Sequence, residues 1–190
     1  MTIRTKALKN RQLINIFKLI LLKFINTLLL FLPLLANSQP NFYERNLGLE
    51  RYIDSINQLH NVDSLFFNNE EFTTNNYDGG SNLTIYFHDN QLIKIKSWFG
   101  LSYGITSCEY YLQKDSLYLV IEKFKGYKYD ETHNLFNYSQ FDIHYNGWYI
   151  FKNNLLVDMT SLGHWRFEDD TIDPEATLLE EFKSYRKKTQ

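Results

Sequence analysis

The stretch LTIYFHDNQLIKIK, residues 83–96, decides how this chain folds. Leu83, Ile85 and Phe87 alternate with Thr84, Tyr86 and His88, and beyond a polar break Ile93 and Ile95 alternate with Lys94 and Lys96. A period of two puts successive side chains on opposite faces of a strand. Asp89 and Asn90 at the break suit a turn, because both residue types tolerate a left-handed backbone. A three-residue loop over 89–91 pairs Phe87 with Ile93 and Ile85 with Ile95, which gathers every apolar residue on one face. A two-residue loop pairs Ile85 with Lys94 instead, so the pattern predicts a hairpin with three loop residues.

The same punctuation recurs. YFHDNQL at 86–92 is followed by YLQKDSL at 111–117 and YIFKNNL at 149–155, each a Tyr with a Leu six places later across a polar turn. In the second copy a two-residue loop at Lys114 and Asp115 sets Leu112 opposite Leu117, Tyr110 opposite Leu119 and Cys108 opposite Ile121. In the third, a three-residue loop over 152–154 sets Phe151 opposite Leu155 and Tyr149 opposite Val157. These are three hairpin tips. Their unequal loops argue against a repeat serving one shared ligand, and spacings of 25 and 38 residues are too irregular for a solenoid or propeller. In general build the chain resembles small exported bacterial proteins made of β-hairpins, a likeness that implies no activity and no site residue.

Around the hairpins, residues 41–60 carry Leu49, Ile53 and Ile56 at helical spacing, with Tyr52 and Leu59 beside the same stripe. Residues 61–78 read as a connection with one apolar patch, Leu65-Phe66-Phe67, ending in Asn- and Gly-rich turn chemistry at 75–80. Residues 125–139 are polar and aromatic without a period and read as an excursion loop, and 163–171 as a second irregular stretch. Asp173-Pro174-Glu175 then opens a helix, with an N-cap Asp, Pro at the first helical position and an early acid. Leu178, Leu179, Phe182 and Tyr185 form its apolar stripe, and Arg186-Lys187-Lys188 complement the negative end of its dipole. The predicted fold is α+β: an antiparallel six-strand meander with an amphipathic helix at each end of the domain, and a half-closed barrel as the alternative.

The N-terminus reads as an export signal. Arg4, Lys6, Lys9 and Arg11 precede the apolar run FINTLLLFLPLLA at 24–36, and Ala36 and Ser38 occupy the small-residue positions that a signal peptidase recognises. An uncleaved anchor over 13–35 has to hold Lys18 and Lys23 in the bilayer, at roughly 2.5–3.5 kcal/mol for each central charge. We therefore expect a cleavable signal peptide over 1–38, a single exported domain over 39–190 that is periplasmic or secreted, and no transmembrane segment in the mature chain. Six of the 20 Lys and Arg lie in residues 1–38 and none of the 22 Asp and Glu, so the remainder carries 14 against 22, a formal charge of −8. That balance disfavours non-specific nucleic-acid binding and adhesion to anionic lipid, both of which need cations in excess. One cysteine in an exported chain leaves no internal disulfide, so packing alone must hold the fold. Cys108, alternating with Tyr110 and Leu112 on the apolar face, reads as a packed thiol.

No Gly-rich phosphate loop, nucleophile elbow or helical zinc pair is present in the sequence, and nothing in it calls for a cofactor. Three groups of residues still suggest chemistry. Asp142, His144 and Asn146 alternate on one strand with Trp148 in line, so all four are predicted to share a face, where His144 could act as a base or take a metal with Asp142. His164 precedes Glu168, Asp169 and Asp170, a donor set for a divalent cation, and His133 follows Asp130 and Glu131. Tyr86, Trp98, Tyr111 and Trp148 all fall on the nominally polar face, where aromatic rings serve ligand binding, toward an envelope protein or a glycan. If that face is covered, they are core instead. The favoured function is a non-catalytic binding domain of the cell envelope. The alternatives are a metal-assisted hydrolase using His144 or His164, and an assembly accessory that adds a strand at its sheet edge.

Overall fold

The computed structural model describes residues 42–168 and 171–189, with side chains from Leu47 onward. The expected signal peptide over 1–38 lies outside the described residues. Helix α1 spans Phe42–Asn57 and is followed by strand β1 (Asp63–Asn68), the one-turn helix α2 (Asn69–Phe72), β2 (Ser81–His88) and β3 (Gln91–Leu101). Then come β4 (Gly104–Gln113), β5 (Ser116–Asp130), β6 (Leu135–Lys152), β7 (Leu155–Leu162) and helix α3 (Pro174–Arg186), closed by a 3-10 turn at Lys187–Thr189. The chain divides into two units between Tyr52 and Ile53. Within the first, Leu49 on α1 is buried; the sheet, α2 and α3 all belong to the second. Among the described residues no helix is long and apolar enough to cross a membrane.

The sheet is antiparallel, with strand order β1 to β7, every strand lying between its chain neighbours and the two ends open. The meander and both helices agree with expectation, but the strand count is seven, not six. The additional strand is β1, made from the segment read as a connection. It pairs Leu65 with Ile85 and Phe67 with Leu83, yet Leu65 and Phe66 stay 44% and 58% exposed. With only Phe67 packing on the core, β1 carries no apolar alternation to betray it. The excursion loop is also corrected. Most of residues 125–139 is strand, because β5 runs to Asp130 and β6 starts at Leu135, joined by the turn over 131–134. Beyond Gly126, which faces Gly104 of β4, the Tyr127 amide still donates to the Tyr103 carbonyl at 2.9 Å, and from Lys128 on these two strands continue as a ribbon that pairs, among the described residues, with each other.

The hairpin tips are more alike than the sequence suggests. All three loops have two residues with nearly equal positive φ: Asp89 and Asn90 at 50° and 61°, Lys114 and Asp115 at 50° and 62°, Asn153 and Asn154 at 54° and 60°. That is the backbone of the turn whose twist matches the flanking strands. Each returning strand then holds one extra residue, Ile93, Tyr118 or Val157, which the register skips between two neighbours. A bulge of this kind resets the alternation by one. Phe87 therefore faces Leu92 while Ile85 still faces Ile95; Leu112 faces Leu117 as expected, but Tyr110 faces Val120 and Cys108 faces Glu122; Phe151 faces Leu156 and Tyr149 faces Met159. The third counterpart of Tyr86 and Tyr111 is accordingly Ile150.

The core lies on one face of the sheet. Ile85, Ile95, Tyr110, Val120 and Tyr149 form a single cross-strand row, and none is more than 2% exposed. Helix α3 covers them with Leu178, Phe182 and Tyr185, the Tyr110 ring lying 6.4 Å from Phe182 and 5.7 Å from Tyr185 between centroids. Each such side chain contributes about 1.5–3 kcal/mol on burial. Asp173 caps α3 by accepting from the Glu175 amide at 2.9 Å. At its other end Arg186 donates to the Asp115 carbonyl at 2.9 Å and Lys188 to the Glu71 carbonyl at 2.7 Å, which gives the basic run partners beyond the helix dipole. Gly79 and Gly100 meet back to back, so a Cβ on Gly79 would lie 2.8 Å from the Gly100 Cα; the Gly79 amide donates to the Gly100 carbonyl at 2.9 Å.

Candidate functional site

The two faces of the sheet hold charge differently. On the core face, Glu122 stands two residues beyond Val120 and is 1% exposed. Arg166, from the irregular stretch after β7, reaches it with Nε 2.7 Å from Glu122 Oε1. The Nε–H is not aligned with that oxygen, so the contact is an ion pair rather than a hydrogen bond. The same guanidinium donates to Glu181 of α3 through Nη1 at 2.5 Å and Nη2 at 3.1 Å. Tyr110 donates to Glu181 at 2.6 Å, Trp165 Nε1 to Glu122 at 3.1 Å, and Tyr149 to Glu122 at 3.4 Å. Trp165 stacks on Phe124 at 3.8 Å and 11°.

Burial pushes the Glu122 carboxyl up, against the pull of Arg166. Burial by itself lowers the Arg166 pKa, but its bonds to Glu181 and the two carboxylate charges raise it overall. Cys108, whose Sγ lies 4.0 Å from Arg166 Nη2, has its thiol pushed well up by burial and then by Glu122 and Glu181. It is a protonated, packed thiol and a poor nucleophile. The pocket above this cluster measures about 250 Å³, below the roughly 300–1,000 Å³ of small-molecule sites. Both carboxylates already have partners, so the cluster fastens residues 163–168 to β5 and α3. Sequence reading missed Glu122 because the bulge at Tyr118 moves it, rather than Ile121, onto the core face. The available signal was an acid inside the apolar run LYLVIEKF at 117–124.

The second face is covered only in its middle. Tyr111 and Leu119 have no exposed surface and Ile121 has 5%. Beside them Tyr111 donates to Glu109 at 2.7 Å, and Glu109 pairs with Lys94 at 3.1 Å and Lys96 at 3.3 Å. Lys94 also lies 4.8 Å from the Tyr111 ring centroid and 5.8 Å from that of Tyr86, and donates to Asn57 at 3.1 Å. Burial raises the Glu109 pKa, but the Tyr111 hydroxyl and the two lysines outweigh it and bring it down to about 2. Toward the ribbon this cover ends. Lys123 faces Asn146 and Lys125 faces His144, and all four side chains are exposed. Trp148 is half-buried in the next row, and Phe141 is 38% exposed. Lys125 Nζ lies 5.9 Å from the Phe141 ring, which stacks on Tyr127 at 5.0 Å and 20°.

The register places Tyr86, Trp98, Tyr111 and Trp148 on this one face. Tyr86, Trp98 and Trp148 are partly exposed, whereas Tyr111 is wholly buried and has no surface left for a ligand. Asp142 departs from the predicted row: it is an extra residue between Phe141, paired with Tyr127, and Ile143, paired with Gly126. His144, Asn146 and Trp148 remain in line. His164 is exposed and contacts Glu168, while Asp169 and Asp170 lie outside the described residues. His133 sits 2.9 Å from Asp130 at the ribbon turn. Among the described residues no three His, Cys, Asp or Glu side chains are grouped to hold a metal ion. Comparison of the chain with protein families, with curated proteins and with solved structures finds no match in any of the three.

Proposed function

We propose that this chain is a non-catalytic, exported binding domain that engages its ligand through the second face of β5 and β6. One observation carries the reading. Where the cover on that face ends, Trp148 and Phe141 stand beside Lys123, Lys125 and His144, and none of these three basic groups pairs with a described carboxylate. Aromatic surface next to uncommitted polar groups is the composition of recognition surfaces. The charges of the core face are already matched and offer a ligand nothing. Export rests on the basic start and apolar run of residues 1–38, and the envelope or the outside of the cell is where the ligand is sought.

The test is capture by the immobilised full chain from envelope and secreted extracts, run beside Trp148→Ala. A component retained by the parent and lost with the variant, while circular dichroism and unfolding midpoint stay the same, supports the reading. Identical retention by parent and variant removes Trp148 from any binding surface and sinks it.

A further inference from the structure

The second face of β5 and β6 continues past Trp148 as a track with cations along its length, and its chemistry names a class of ligand. At one end, a concavity of about 450 Å³ between two hairpin tips is lined by Lys114, Tyr118, Ile150, Lys152 and Val157, among others, and by no acid. Ile150, Trp148, Asn146 and His144 then follow at alternate positions of β6, with Lys123 and Lys125 opposite Asn146 and His144. At the ribbon end Phe141 and Tyr127 present stacked rings. Asp115 shares the turn of Lys114, and Asp142 and Asp158 border the track on β6 and β7, so the four lysines Lys114, Lys123, Lys125 and Lys152 outnumber these three acids, on a chain whose formal charge is −2. This local reversal of sign points to a polyanion with spaced, not dense, charge, since a chain of net negative charge repels one as dense as duplex nucleic acid.

Peptide strand addition fits less well. Among the described residues the outer edge of β6 beyond Asn146 has no partner strand, but Asp142 and residues 138–140 interrupt its ladder, and bulges turn an edge away from pairing. Exposed rings instead offer a flat, electron-rich face to the C–H groups of a sugar ring, and Asn146 supplies an amide for hydroxyls. Resting on the binding reading above, we infer that the track takes an acidic polysaccharide, of the kind that carries a carboxylate on each sugar.

The probe is polygalacturonate, titrated into the full chain beside neutral dextran, poly-L-glutamate and an oligothymidylate. The proposal expects saturable binding to polygalacturonate and none to dextran. It also expects at least tenfold weaker binding for Lys123→Ala/Lys125→Ala, severalfold weaker binding for Phe141→Ala, retention by Lys123→Arg/Lys125→Arg, and weakening by salt, all with unchanged circular dichroism. Poly-L-glutamate binding as tightly, with Phe141→Ala neutral, overturns it in favour of an acidic protein. Equal binding of dextran, or oligothymidylate binding as tightly, also overturns it. If no polymer binds while the Trp148-dependent capture persists, the ligand class is wrong and the binding reading stands; if both fail, neither does.

Discussion

The buried face and the open face of this sheet both carry an arginine- or lysine-centred set of charges, and they differ in what those charges have left over. Around Arg166, two carboxylates balance the cation, and a tyrosine and a tryptophan donate to those carboxylates. Around Lys125 and His144 the neighbours are Phe141 and each other across the strand pair. A charge removed from water has to be matched within the fold, whereas one left in water can wait for a ligand. The difference teaches that dense titratable chemistry in this protein marks fastening, and that sparse, unmatched chemistry is what the proposed recognition surface rests on.

The sharpest way to break that comparison is Arg166→Met. It leaves Glu122 and Glu181 without their shared cation, and removing one partner of a buried pair costs about 3–5 kcal/mol. The urea midpoint should fall accordingly, and Glu122→Gln in the same chain should recover part of the loss. A midpoint unchanged by Arg166→Met would show that the cluster fastens nothing. Next in size is acid. Glu109 is lowered from 4.5 to about 2, so its contribution is complete above pH 4.5 and is lost as the pH falls toward 2. The loss is at most about 3 kcal/mol, less what solvent screens. Lys94→Met should flatten that part of the stability profile and lower stability at neutral pH.

Gly163→Ala should cost about 2 kcal/mol or more. Its φ is +87° and a Cβ there would lie 2.2 Å from the His144 carbonyl oxygen. Because the change acts where the chain leaves β7 for the Arg166 segment, hydrogen exchange should quicken at Trp165 before it does at Ile95. Smaller still, Lys114→Gly should raise stability by about 0.5 kcal/mol by relieving a left-handed Lys at φ 50°, as a shift in thermal midpoint. Smallest of all, Lys123→Ala should move stability by less than about 0.5 kcal/mol in either direction. A larger loss would mean that Lys123 has a structural partner and would blur the line between the two faces.

Much of the architecture could be read from residue order. Period-two runs, polar breaks at 89–91, 114–115 and 152–154, and the Asp173-Pro174 start of α3 all locate elements of the structure, although the first and third turns hold two residues rather than three. What escaped did so for two physical reasons. Alternation locates a strand only when one face is buried, and β1 buries a single aromatic, so LFF looked like a connection. Counting by twos also assumes an unbroken ladder. Ile93, Tyr118 and Val157 each break it, so the expected pairings hold on one side of the bulge in the first two hairpins and on neither side in the third. The bulge at Tyr118 hid Glu122, and a separate irregularity at Asp142 itself took that residue out of the row of His144. The aromatic face of Tyr86, Trp98, Tyr111 and Trp148 is legible, because their parities are preserved, and the covered alternative holds for Tyr111 alone of the four. Arg166 lay in a stretch without period, where sequence gives no hint of what a side chain reaches.

The neighbour-only strand order carries a consequence for how the molecule comes into being. No strand waits for a distant partner, so the sheet can lengthen one hairpin at a time as the chain is extruded, each tight turn closing a loop of small entropic cost. The final helix does not share that freedom. Until α3 arrives, Tyr110 and its row present an uncovered apolar floor, and Glu181, which holds the Arg166 guanidinium, does not yet exist. A chain cut before Pro174 would therefore emerge with its strands paired and its adhesive side bare, which makes the last thirteen-residue helix the step that separates a finished molecule from an aggregating one.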